Sequence, residues 1–230
     1  MVPIKMVHRK LEVFVMEIGK INAAIEQSGY NPFGVAGTGE QDAMKLAEKM
    51  KMPVALKILS DDISHKSDAG GVILNLGSAD DVKTEAKNML NRIKKNFPQA
   101  KIDGFTVQQM VKLHNPHEII VGVSNDNIFG RTLMVGQGGT AVEIIKDTAI
   151  AMPPLNKEQA LDAIKSTKVY NLLKGYRDRP AANIDGLVQA MIQISQLVSD
   201  FPELKELDAN PMFVDENSVI AVDARIVIKK

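Results

Sequence analysis

The stretch "ELDANPMFVDENSVIAVDARIVI", residues 206–228, constrains the fold most. Apolar and polar residues alternate on both sides of the turn-forming "DENS" (215–218), the signature of two strands joined by a four-residue loop. Such a loop sets Val214 opposite Val219, Asn210 opposite Asp223, and Asp208 opposite Arg225. Asp208, Asn210, Asp223 and Arg225 then share one face, while Ile220, Val222, Ala224 and Ile226 form an apolar face that must be covered. Directly opposed side chains have Cβ atoms about 4.5–5.5 Å apart. That suits two oxygen ligands, Asn210 and Asp223 with Asp208 beside them, sharing a hard cation such as Mg²⁺ that phosphates also bind. A surface Asp208–Arg225 pair with a hydrogen-bonded Asn210 fits the same spacing.

The rest of the chain repeats this mixed pattern. Leu11, Val15, Ile18 and Ile25 predict a helix over 8–28, which "SGYNPFGVAGTG" breaks. A second helix is expected over 40–51, with Ala43, Ala47 and Met50 on one stripe. Strands are expected at "PVALKIL" (53–59), "VILNL" (72–76) and "FTVQQMV" (105–111). Between the last two lies a helix capped by Ser78 and running through Val82, Ala86, Met89, Leu90, Ile93 and Phe97. Residues 117–126, 131–139 and 142–145 read as antiparallel strands, with "NDNIFG" as one turn. Asn156 caps a helix over 157–165, a short helix ends near Gly175, and 183–201 is strongly amphipathic. The fold class is α+β with antiparallel sheets, in two lobes, 1–108 and 109–230, meeting near residue 110.

Composition removes several function classes. Among 230 residues, 28 Lys+Arg balance 28 Asp+Glu, so no net field selects for nucleic acid or an anionic membrane. Cysteine is absent, which excludes disulfides, thiolate metal sites and a cysteine nucleophile. Tryptophan is absent too, which argues against a base-stacking platform. The charged start has neither a signal-peptide core nor a membrane span, and a cytoplasmic protein is expected.

The chemistry-bearing candidates cluster around "VALKILSDDISHKSDAGG". Lys57 stands in an apolar strand, where a charge is costly unless paired. It is either solvated on an edge strand or aimed at a ligand's phosphate oxygens. Lys66, Ser67 and the backbone around Gly70-Gly71 could wrap phosphate, although no Walker sequence is present. "QQMV" (108–111), with Glu118 beyond it, is a plain strand or one whose edge reads an adenine while Glu118 takes ribose hydroxyls. His65 could act as nucleophile or base or simply lie at the surface. His8, His114 and His117 show no constellation, and no spacing suggests zinc or an acyl-hydrolase elbow.

Taken in order, "PVALKILSDDISHKSDAGGV", "VQQMV…HEIIVGVSNDNIFGRTLMVGQGGTAVEIIKD", "LLKGYRDRPAANIDGLVQAMIQISQLVSDFPELKELDANP" and "AVDARI" resemble the ATP-grasp subunit of NDP-forming acyl-CoA synthetases. The likeness is to the beta subunit of the ADP-forming acetyl-CoA synthetases and covers most of residues 40–226; the first forty residues match poorly. It implies an ATP-grasp fold with ATP or ADP and Mg²⁺ between two α+β lobes. Carried over by position, Lys57, Lys66, Gly70 and Gly71 would hold phosphates. Gln109, Met110 and Val111 would frame the adenine, Glu118 the ribose, and Gly138, Gly139 and Glu143 would shape the cleft. Asn210 and Asp223, with Asp208, would bind the metal. His65, in "HKSD", would relay a phosphoryl group that passes from an acyl phosphate, through a histidine of the partner, to ADP.

The activity so implied is acyl-CoA + ADP + phosphate ⇌ carboxylic acid + ATP + CoA, shared with a CoA-binding alpha subunit in a hetero-oligomer. Chain length is similar to that of the separate beta subunits, and no CoA-binding Rossmann pattern is evident. Two rivals fit the same residues: a nucleotide-sensing domain that regulates an acyltransferase, and an ATP-grasp carboxylate ligase that would not need His65.

Overall fold

Two antiparallel sheets, each with its own helical cover, divide the chain into contiguous units, Met1–Met110 and Val111–Lys230. A computed structural model describes residues 35–63, 66–139 and 142–228. The expected helix over 8–28 lies outside the described residues, as does His65.

In the first unit, β1 (Val35–Gly37), β2 (Val54–Leu59), β3 (Val72–Leu76) and β4 (Gly104–Gln109) form a sheet in the order β1-β4-β2-β3. Helices α1 (Glu40–Glu48) and α2 (Ala79–Asn96) pack on it. Alternation decides which face they cover. Val54, Leu56 and Ile58 of β2 and Phe105 and Val107 of β4 join Ala43, Ala47, Val82, Ala86, Met89 and Ile93 in one core. The Ser78 hydroxyl accepts from the Asp81 N–H at 3.1 Å, capping α2 as expected. Asp80 and Asp81 in its first turn and Lys94 and Lys95 in its last complement the helix dipole.

In the second unit the sheet order is β10-β8-β5-β6-β7, with β9 also paired to β8. The strands are β5 (His117–Asp126), β6 (Gly130–Gln137), β7 (Thr148–Ala151), β8 (Leu204–Val214), β9 (Val219–Ala221) and β10 (Ala224–Ile228). Helices α4 (Lys157–Lys165) and α6 (Ile184–Asp200), with the short α5 (Tyr170–Leu173) between them in sequence, contribute Ala160, Ile164, Leu173, Leu187, Val188 and Met191 to a core with Ile119, Val121 and Val123. Asn156 and Gln159 form a capping box on α4. Asp126 folds the β5–β6 turn by accepting from the Ile128 and Phe129 N–H groups, which holds its carboxyl below the usual range.

The C-terminal hairpin has the expected register. Val214 pairs with Val219 and Asp208 with Arg225, and the Asn210 N–H donates to the Asp223 carbonyl at 3.1 Å. The second arm is interrupted between β9 and β10, and the expected apolar face is corrected there: Val219 and Ala221, not Ile220 and Val222, pack against the core, with Ile226 beyond the break. One expected strand is wrong: "VEII" is a short helix, α3 (Val142–Ile145), not a strand. The Lys146 N–H reaches back to the Val142 carbonyl at 3.0 Å, and Ile144 is exposed, so its apolar side chain is no sign of a buried strand. β1 and β7 are additions that the sequence reading passed over. Among the described residues, no helix is long and apolar enough to cross a membrane.

Candidate functional site

Lys57 is on an interior strand. β2 pairs with β3 on one side and β4 on the other, with Lys57 registered to Val72 and Thr106. An edge position is therefore excluded. Lys57 lies between Leu56 and Ile58, which face the helices, so its half-buried side chain leaves the opposite face of the sheet.

The double glycine closes a turn rather than offering a ring of free amides. The Gly70 N–H donates to the Ser67 carbonyl at 3.0 Å and the Gly71 N–H to the Lys66 carbonyl at 2.7 Å. Gly70 has φ +70° and its carbonyl accepts from Arg92, while a Cβ on Gly71 would stand 2.5 Å from Ile58 Cγ2. The two glycine amides are thus spent inside the loop. The Gly71 bonds to the Lys66 carbonyl and from the Ile58 N–H hold Lys66 near the end of β2, where its side chain is a group that could meet an anionic ligand. The Met110 N–H is likewise engaged, donating to the Pro53 carbonyl at 3.0 Å, and Gln109 ends β4 opposite Val54.

In the second unit, three strands bring the remaining candidates together. The Asn210 Oδ1 accepts from the Gly139 N–H at 2.9 Å. Gly139 has φ +81°, and a Cβ there would lie 1.7 Å from Glu118 Oε2, so only glycine lets this turn pass against Glu118. The Gly138 N–H and the Gln137 side chain both donate to the Glu118 carbonyl, at 2.8 and 3.2 Å. Gln137 was not singled out from sequence; its only signal is its place before the glycine pair. Glu143 lies on α3.

Asp208 sits opposite Gly122 in the register, with Oδ1 3.8 Å from where a Cβ on that glycine would be. Its carboxyl is pushed above the usual range, first by partial burial and then by the charge of Asp223, with Arg225 opposing. Two carboxylates beside an amide oxygen are donors of the type a hard cation takes. Among the described residues, no group of three or more His, Asp or Glu could hold a metal by itself. A divalent ion here would complete its shell with phosphate oxygens and water.

Two antiparallel sheets with helical covers define an α+β protein, and the chain belongs to the ATP-grasp domain family, whose sequence profile matches residues 31–228. It is 37% identical over 189 residues to the beta subunit of an ADP-forming acetate–CoA ligase I of Pyrococcus furiosus, covering 82% of this chain and 81% of that one. It is 40% identical over 185 residues to a 4-hydroxybutyrate–CoA ligase (ADP-forming) of Nitrosopumilus maritimus, covering 80% of this chain but only 26% of that protein. Among solved structures it is similar to an acetyl-coenzyme A synthetase of Ca. Korarchaeum cryptofilum in complex with coenzyme A and Ca-AMPCP. That match has a TM-score of 0.80 at 31% identity, over 96% of this chain and 99% of that one. A second structure of the same synthetase holds Mg-AMPPCP and has its phosphohistidine segment pointing towards the nucleotide site. Its TM-score is 0.69 at 31% identity, over 86% of each chain.

Proposed function

We propose that the protein is the nucleotide-binding subunit of an ADP-forming acyl-CoA synthetase of the acetate–CoA ligase type, working with a CoA-binding partner subunit. The observation that carries this reading is the likeness to a beta subunit over four-fifths of both chains. ADP is the acceptor in the ATP-forming direction. Lys57 and Lys66 contact its phosphates as fixed positive charges, Gln109, Met110 and Val111 frame the adenine, and Glu118 accepts from the ribose hydroxyls. Asn210, Asp223 and Asp208 would hold Mg²⁺, which supplies charge neutralisation to the polyphosphate when bound. Protein groups otherwise act by positioning and by stabilising charge, as phosphoryl transfer requires.

His65 is the relay in this reading. A neutral ring nitrogen attacks the phosphorus carried by a histidine of the partner subunit, whose imidazole leaves, and an oxygen of the ADP β-phosphate then attacks that phosphorus, forming ATP and returning free imidazole. Asp61, Asp62 and Asp68 lie close in sequence and can fix its tautomer, while Lys66 offsets the incoming charge. The test mixes this chain, its CoA-binding partner, acyl-CoA and phosphate without ADP. Acid-labile, base-stable phosphate should appear on His65 by mass spectrometry under alkaline conditions, and ADP should discharge it to ATP. Normal turnover of the complex with no such label would eliminate the relay.

A further inference from the structure

A pocket lies on the other face of the sheet that holds β5. His117 and Glu118 are neighbours on β5, so their side chains leave the sheet on opposite faces. His117 is in phase with Ile119, Val121 and Val123, which face the helices, and only 9% of it is exposed. It lines an open pocket together with His114 and Asn115, Arg179 and Pro180, and the Asp215–Asn217 loop.

This pocket is built from loops that hold one another. Tyr176 and Arg179 exchange backbone hydrogen bonds of 3.2 and 3.1 Å, fixing the base of the arginine. The Ala182 N–H is tied to the Leu173 carbonyl at 2.8 Å and the Asn183 N–H to the Asp215 carbonyl at 2.7 Å. The Asn183 side chain also donates to the Asn217 carbonyl. The lining offers many donors: the guanidinium of Arg179, the amides of Asn115 and Asn217, and two imidazoles. Of its two acids, Asp215 turns an oxygen onto the Asn217 and Ser218 N–H groups of its own loop, at 2.9 and 2.7 Å. Glu216 is exposed and free to swing towards solvent.

We propose that this pocket binds a small oxyanion, phosphate or carboxylate, on Arg179 and the imidazole of His117, at a site separate from the one that takes nucleotide. Burial first, and Arg179 second, keep the His117 imidazole below its ordinary pKa, and a bound anion opposes both effects. His117 then gains a second N–H as the anion arrives. The inference does not depend on the nucleotide reading, since Glu118 and Asn210 take no part in it.

The test is a pH titration of the histidine resonances by NMR on the full chain, assigned by single His→Gln variants. It is run in sodium chloride, sodium phosphate and sodium acetate at equal ionic strength. Phosphate, acetate or both should raise the His117 pKa by about 1 unit, as a nearby opposite charge does, and the two arms tell a phosphate site from a carboxylate site. Arg179→Gln, at an exposed position, should fold normally and abolish the rise. Glu216→Gln should let it appear at lower anion concentration. The proposal is overturned if neither anion moves His117 at tens of millimolar, if Arg179→Gln shows the same rise, or if all histidines shift together.

Discussion

Replacing Asp223 by asparagine removes one charge from the acidic face of the hairpin while keeping its shape. The backbone partners stay: the Asn210 N–H to the Asp223 carbonyl at 3.1 Å and the Val222 N–H to the Pro211 carbonyl at 3.0 Å. Asp223 is exposed, so the change in stability should stay within about 1 kcal/mol. Binding is another matter. An interaction with a charged group is worth about 1.5–3 kcal/mol, so affinity for Mg²⁺-ADP should fall by roughly 10- to 100-fold. Metal-free ADP, measured in EDTA, should bind as well as before or better, because a negative charge facing the phosphates is gone. Calorimetry of both titrations gives the comparison. An equal loss with and without Mg²⁺, or no loss at all, would refute the metal role. The variant also has a pH signature. Asp208 titrates above its ordinary value partly because of Asp223, so the native state holds this proton more tightly than the unfolded chain. That costs stability as pH rises from the ordinary carboxylate pKa through the raised one, and the cost persists above it. Asp223→Asn should make this acid-side slope shallower.

Lys57→Ala should lower ADP affinity by about 1.5–3 kcal/mol if the interior-strand lysine holds phosphate; unchanged calorimetric affinity would count against that role. Gly71→Ala puts a methyl 2.5 Å from Ile58 Cγ2 and 3.0 Å from the Lys66 carbonyl oxygen, and should cost about 1–3 kcal/mol in urea unfolding. The buried Asp147 carboxylate accepts from the Lys168 and Val169 N–H groups, both at 2.7 Å. Asp147→Ala strands those amides and should destabilise by about 1–3 kcal/mol; a midpoint unchanged in urea would show that water replaces the carboxylate without loss.

The register of the hairpin was readable because a loop of defined length leaves a single pairing, but the core-facing residues of its second arm were not, because the break between β9 and β10 changes the face. The capped helices were readable for a similar local reason: Ser78 and Asn156 announce their own starts. Short elements escaped. β1 has three residues and β7 four, too few for a period to emerge, and they exist because β4 and β6 offer them an edge. Lys57 was legible as an anomaly, yet its interior position follows only from the strand order. At Gly70-Gly71 the residue types drew notice, but whether their amides face a ligand or close a turn depends on where Lys66 and Ser67 place their carbonyls. His114, His117 and Arg179 share a pocket only because loops distant in sequence meet at one end of the sheet.

The break between units at Met110 has a consequence for biogenesis. Among the described residues, no strand of either sheet comes from the other unit, so the described strands of the first sheet are all made once β4 has been made. The 120 residues of the second unit, Val111–Lys230, are translated after it, and these alone take about 6–24 s at 5–20 residues per second. Small domains fold in about a second or less. The lysine-bearing half can therefore emerge from the ribosome and reach its native sheet while the acidic half is still being synthesised, with neither waiting on the other to pair its strands.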